Sequence, residues 1–379
     1  MIRTGWRQRN LSPTSAPQQQ PLPSYARTVL GPIRVRSLIA AALLIAALFF
    51  LVREAARLVD VDFKVYLSAA EALLEGKPLY SGLNVNGLEF TYPPFAAAVF
   101  IPFSLLPPVA AFTIWTIVSV ACLFAIAWLT AERLPAIAGR TFESRTWEVA
   151  AYIFAVSAFS ETIVKNIELG QVNLALVLLV MFDTVSRAHY RGFLTGLAAG
   201  FKVAPAIFIV FMLFNRRWAD FGRAVLGFAT SLVIGSFFGV SQVWQFWTSA
   251  LLDTTRVGEL TRLSNMSALG MLSRWAPEST AKMLWLIVAL AVGVLGLVIA
   301  AKWWKHSQLV AASVVGVTGL FVTPISWVHH FVWLIPVFCV VVALAIRGFR
   351  AERRLLGCFL VFTAAIIAIP ELLYLRYTG

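Results

Sequence analysis

Between Ser37 and Val52 the chain runs for 16 residues without a charge, and comparable apolar runs recur almost to its C-terminus. Crossing the roughly 30 Å hydrocarbon core of a bilayer takes about 20 such residues, and only helices or closed barrels leave no backbone group unpaired there. This recurrence of helix-length spans restricts the chain to an all-α polytopic membrane protein. Of its 379 residues 60% are hydrophobic and 13% charged, where soluble domains average about 25% charged. No stretch remains for a separate soluble domain. Residues 1–30, rich in Pro, Gln, Ser and Arg, bury too little apolar surface to fold and read as a disordered cytoplasmic tail. Residues 31–379 read as a single transmembrane domain, whose first span follows Arg34 and Arg36 with no small-residue cleavage site and is retained.

The net charge of +13 would suggest nucleic acid if it formed a patch, but the basic residues lie scattered in short loops between spans, where they set orientation. Residues 93–108, PPFAAAVFIPFSLLPP, are bracketed by proline pairs and interrupted by Pro102. At about 1.5 Å per residue they fall short of the core and predict a half-inserted helix. The remaining runs thread as eleven crossings: 37–53, 109–131, 148–165, 172–186, 192–203, 205–214, 222–243, 283–301, 308–323, 331–346 and 355–374. On this path the tail and the loops at 132–147, 187–191, 215–223, 302–305 and 347–354 face the cytoplasm with 20 of the 31 Lys and Arg residues. The opposite, outer face receives the 54–92 loop, KNIELGQVN, the break at Lys202–Pro205, the 244–282 loop and TPISWVHH.

The unusual polar residues converge on that outer face. Asp62 opens DFKVYLSAAEALLEG, whose Val65, Tyr66, Ala69, Ala70, Leu73 and Leu74 recur at helical spacing. They predict an amphipathic helix lying on the membrane. Asp62 is then either an N-cap for that helix, worth about 1 kcal/mol, or a catalytic carboxylate, with Asp60 close by. Glu168 is either a solvated loop charge or part of a site. Lys202 sits inside an apolar segment at a cost of about 2.5–3.5 kcal/mol, so it faces a partner or a cavity unless it snorkels to the headgroups. His329 and His330 adjoin at the start of a span, with spacing poor for zinc. Arg262 and Asn265 in TRLSNMSALG either bind an anion or sugar or form a polar cover. Cys122, Cys339 and Cys358 lack paired spacing and read as packing, so neither a disulfide, a metal site nor a cofactor is expected. No P-loop, dinucleotide fingerprint, HExxH or nucleophile elbow is present.

Taken in order, DFKVYLSAAEALLEGKPLY, FTYPPFAAAVFIPFSLLP, ELGQVNLALVLL, RGFLTGLAAGFKVAP with NRRW, SNMSALGMLSRW and PISWVHHFVWLIP make a motif series that resembles the family 87 glycosyltransferases. The resemblance covers about residues 58–340. It implies the GT-C fold, with residues 31–379 as the catalytic domain in the cytoplasmic membrane of an actinobacterium and the site facing outward. The implied reaction transfers mannose from a polyprenyl-phosphate mannose donor to a phosphatidylinositol mannoside or related glycolipid, both reached from the surrounding membrane lipids, without a nucleic-acid partner. Asp62 matches the expected base of an inverting displacement. A lipid phosphate leaves readily, so one carboxylate suffices where glycoside hydrolysis needs two. His330 and His329 would assist, Lys202, Arg262 and Tyr92 would hold the phosphate, and Asp60, Glu168, Gln171, Asn173, Asn265 and Trp327 would contact substrate. Two other functions stay open: a polyprenyl-phosphate arabinose-dependent transferase of the same family, and a lipid flippase or transporter. Broken helices and an intramembrane lysine suit transport, but the internal repeats of transporters are absent.

Overall fold

In the computed structural model the chain is described over residues 35–139, 145–186 and 189–350, and over these it is almost wholly helical. The expected tail, the 355–374 span, Cys358 and parts of the basic loops at 132–147, 187–191 and 347–354 lie outside the described residues. Helix α1 (Val35–Ala55) is the first apolar run. A short helix, α2 (Val61–Leu74), follows, then a two-residue hairpin of β1 (Asn84–Val85) and β2 (Leu88–Glu89), paired antiparallel. Pro93 and Pro94 start α3 (Pro94–Ser104), where a proline at the first helical position costs no hydrogen bond. Pro107 and Pro108 then turn the chain into α4 (Pro108–Ala138), the longest helix described.

After α4 come α5 (Thr146–Ala158), α6 (Glu161–Glu168), α7 (Asn173–Val185), α8 (Phe193–Phe201), α9 (Ala206–Phe214) and α10 (Trp218–Ser236). Short α11 (Val240–Gln245) and α12 (Ala268–Ser273) flank an irregular loop, and α13 (Glu278–Trp304), α14 (Gln308–Val322), a 3-10 turn (Val328–Trp333) and α15 (Leu334–Arg350) complete the bundle. Among the described residues four runs are long and apolar enough to cross a membrane, α1, α4, α13 and Val328–Gly348, and the bent pair α5 and α6 makes a fifth if it counts as one span. The shorter apolar helices α3, α7 and α14 pack among them.

Two expectations need correction. The run 148–165 is not one straight span: α5 and α6 meet at 77°, because the Ser160 hydroxyl accepts the Ile163 N–H and starts a new helix. Helix α2 is amphipathic, with Lys64 and Glu71 exposed, but its buried side is wider than the expected stripe. Phe63, Leu67 and Ala72 are buried as well as the apolar stripe, whereas Leu74 is exposed. The reason is α3, which folds back over α2 and stacks Phe100 on Tyr66 at 4.8 Å.

One close approach fixes the helix that ends at Lys202. Gly196 of α8 lies so near α10 that a Cβ on it would sit 2.0 Å from the Ala224 carbonyl oxygen, and one on Gly200 would strike Ser231. Small residues at four-residue spacing allow such backbone contact where lipid supplies no hydrophobic drive.

Candidate functional site

The site begins where two remote turns are stitched together. Asp60 N–H donates to the Glu168 carbonyl at 2.8 Å and Phe63 N–H to the Leu169 carbonyl at 3.0 Å. The N-terminus of α2 is thereby bonded to the turn between α6 and α7. Gly170 sits in that turn at φ 69°, and a Cβ there would lie 2.6 Å from the Phe63 Cβ, so only glycine fits. Trp115 of α4 donates its indole N–H to the Gly170 carbonyl at 2.9 Å.

This juncture sets Gln171 against Asp62. Gln171 Nε2 donates to Asp62 Oδ2 at 2.5 Å. Behind it, Gln171 Oε1 faces the Tyr66 hydroxyl and Asn173 Nδ2, each at 3.3 Å. The Tyr66 hydroxyl also reaches the Tyr92 hydroxyl at 3.0 Å. Lys202 closes the far side: its Nζ donates to Asn173 Oδ1 at 2.9 Å and to the Tyr92 hydroxyl at 3.4 Å, and lies 3.2 Å from His330 Nε2. Asp62, Tyr92, Gln171, Asn173, Lys202 and His330 therefore form one continuous polar network. His329 joins through its backbone, its carbonyl accepting from Asn166 at 2.8 Å and Asn173 at 3.0 Å.

The break after α8 makes this possible. Lys202 leaves the helix with extended backbone, φ −146° and ψ 132°, and Pro205 precedes α9, so the side chain turns inward. The 3-10 turn does the same for His330. There the Trp327 N–H donates to His330 Nδ1 at 3.2 Å, which leaves the proton of a neutral ring on Nε2. The Lys202 Nζ, 3.2 Å from that Nε2, then lies beside a second N–H donor rather than an acceptor, an arrangement that suits an anion.

Burial raises the Asp62 carboxyl above the usual aspartate range, and the Gln171 hydrogen bond and the Lys202 charge pull it back. The phenols of Tyr66 and Tyr92 are pushed well above their ordinary values by the same burial and stay protonated donors. A carboxylate thus stands at one end of the network and two nitrogen groups, from Lys202 and His330, at the other.

The capping alternative for Asp62 does not hold. The N-cap position belongs to Asp60, whose side chain makes no capping bond, and the Asp62 carboxylate is held by Gln171. Other expected residues stand apart. Asp60, at φ 29°, pairs with Lys64 at 2.7 Å. Glu168 is no solvated loop charge: it ends α6, is 3% exposed, and its carboxylate is engaged by Arg57 at 3.1 Å and Lys165 at 2.8 Å. Arg262 is exposed on the 251–267 loop. Asn265 is consumed structurally, its Oδ1 accepting from Ser267 and Ser326 and its Nδ2 donating to Leu260. It pins that loop to Trp327, whose backbone N–H and carbonyl both bond His330.

Three contributors escaped the sequence reading. Tyr66 was counted as apolar packing, and Thr162 and Asn166 lie on α6, where Asn166 Nδ2 bonds the Thr162 carbonyl and Thr162 Oγ1 the Val328 carbonyl. A buried amide seven residues before Asn173 was the available signal. Among the described residues no group of three or more His, Cys, Asp and Glu side chains is placed to hold a metal.

Residues 90–324 match the family described as Glycosyltransferase family 87. The chain is 31% identical over 314 residues to a polyprenol-phosphate-mannose-dependent alpha-(1-2)-phosphatidylinositol mannoside mannosyltransferase of Mycolicibacterium smegmatis, covering 76% of this chain and 70% of that protein. Its counterpart in Mycobacterium tuberculosis is 30% identical over 344 residues, or 84% of this chain and 76% of the relative. A phosphatidylinositol pentamannoside mannosyltransferase of M. smegmatis is 29% identical, with 83% and 76% covered. No solved structure matches the chain. The matched segment includes Tyr92, Gln171, Asn173 and Lys202 of the polar network, and this chain belongs to glycosyltransferase family 87.

Proposed function

We propose that the chain transfers a mannosyl residue from polyprenyl-phosphate mannose to a phosphatidylinositol mannoside glycolipid, at the outer face of the cytoplasmic membrane. The donor and acceptor follow the names of its relatives, which favour mannose over arabinose. Asp62 takes the proton of the acceptor hydroxyl as its oxygen attacks the anomeric carbon. The bond from that carbon to the phosphate oxygen breaks, and polyprenyl phosphate departs with the electron pair. A single displacement of this kind inverts the anomeric centre. Lys202 and the neutral His330 ring hold the leaving phosphate, where an ammonium and a fixed N–H donor in a water-poor site stabilise developing charge strongly. The observation that carries the reading is the network itself, which joins one carboxylate to a paired ammonium and imidazole N–H drawn from three separate segments.

We read the scaffold as the GT-C class with eleven crossings, α8 and α9 being two of them, broken at Lys202. The outward orientation is supported by the basic turns at 215–218 and 302–305, which meet at the other end of the bundle, where Arg217 stacks over Trp304 at 3.9 Å. The test supplies purified protein with polyprenyl-phosphate mannose and phosphatidylinositol mannosides. Labelled mannose should appear in the acceptor lipid, and no transfer to any of them would sink the proposal.

A further inference from the structure

We infer that Gln171 is a positioning residue for Asp62: its amide, locked from behind by Tyr66 and Asn173, holds the carboxylate still and in its ionised form. The inference rests on the reading of Asp62 as the base. A glutamine reading substrate would present a free amide, but this one is 3% exposed and engaged at both ends. The Asn173 Nδ2 donor at Oε1 and the Asp62 acceptor at Nε2 fix which way the amide points, so an N–H rather than the carbonyl faces Asp62. The backbone is equally committed. Gln171 N–H donates to the Asn166 carbonyl at 2.9 Å, and the two bonds from Asp60 and Phe63 to carbonyls 168 and 169 tie the turn to the first turn of α2. Base and amide donor therefore move as one body, which is what pre-organised proton transfer requires.

The groups bearing on the Asp62 carboxylate are few. Lys202 supplies the stabilising charge, and Tyr66 and Tyr92 are neutral phenols. Helix α3, packed on α2, has no titratable residue, and the carboxylates nearest in sequence and across the turn, Asp60 and Glu168, are occupied by Lys64, Arg57 and Lys165. Loss of the Gln171 bond therefore leaves burial opposed by Lys202 alone, and the proton is held more tightly.

The experiment compares the pH profile of kcat/KM for wild type, Gln171→Met, Tyr66→Phe and Asp62→Asn in the purified full chain. Gln171→Met keeps the side chain's length and removes the donor. Its acidic limb should move to higher pH and kcat should fall about 10- to 100-fold, the scale of lost support to a working ligand, with donor KM nearly unchanged. Tyr66→Phe should shift the limb in the same direction by less, and it serves if the first variant does not fold. A wild-type kcat with an unmoved limb overturns the inference, and so does a raised KM at constant kcat, which would make Gln171 a substrate contact. Full turnover in Asp62→Asn would overturn the parent reading and this one with it, whereas an inactive Asp62→Asn beside a normal Gln171→Met removes only this one.

Discussion

Asp62 combines two properties that a protein does not need to combine for stability. It is half-buried, and its carboxyl is raised above the ordinary aspartate value of 3.8 by that burial. A raised value in the folded state means that the folded chain binds the proton more tightly than the unfolded one. Between 3.8 and the raised value stability therefore falls as pH rises, and above it the native state bears the whole cost of the buried charge. Asp62→Asn removes that cost while keeping an acceptor for Gln171. Its melting temperature at pH 7 should be no lower than that of wild type, while turnover drops by about 10²- to 10⁴-fold, the usual worth of a general base. A melting temperature lowered by several degrees, read by thermal unfolding in detergent, would instead make the carboxylate structural. At the same scale, the pairs around Asp62 show why Glu168 and Asp60 were expected beside Asp62 as substrate contacts. All three are acids near the turn between α6 and α7, and nothing local distinguishes a carboxylate satisfied by Arg57 and Lys165 from one facing an amide and a lysine.

Elements were legible where proline or apolar length decides them and illegible where side chains from afar do. The prolines at 93–94 and 107–108 bound α3 within two residues of the expected half-helix ends at its start and four at its close, and the FKVAP break separates α8 from α9 where expected. The bend between α5 and α6 was not legible, because a serine cap inside an apolar run costs the hydropathy pattern almost nothing. Nor was the α8–α10 seam singled out, although Gly192, Gly196 and Gly200 stand at four-residue intervals. The seam gives a prediction at this scale. A side chain at Gly196 meets backbone that cannot swing aside, so Gly196→Val should destabilise the protein by about 1–3 kcal/mol or more, as overpacking does, and should lower activity by displacing Lys202. Gly222 of α10 has nothing within 4 Å of an added Cβ. Gly222→Ala should therefore be neutral or stabilise by about 0.5–1 kcal/mol, the helix preference for alanine. Equal melting temperatures for the two variants would show that the seam does not hold α8.

Over the whole molecule, hydropathy reports which segments meet lipid, but the site is built from contacts that span the chain. Asp62 and Gln171 are 109 residues apart, and Lys202 and His330 are 128 apart. No local period encodes such pairs, which is why the sequence showed the right segments gathering on one face yet not which of their residues touch. Helices α7 and α8 run between the two ends of the bundle, separating Asn173 and Lys202 at one end from Val185 and Phe193 at the other. Thirteen residues of α7 at about 1.5 Å each put roughly 20 Å between those ends. The basic turn at 302–305 lies at the far end, and an excess of Lys and Arg marks the cytoplasmic side. Ser264 lies at the near end, on the loop that Asn265 fastens to Trp327, and it is exposed. In intact cells a membrane-impermeant maleimide should therefore label Ser264→Cys and leave Lys305→Cys unlabelled until the membrane is opened, with Cys122 buried in both. Labelling in the reverse order would place Asp62 on the cytoplasmic face, where a lipid-phosphate sugar presented from outside cannot reach it.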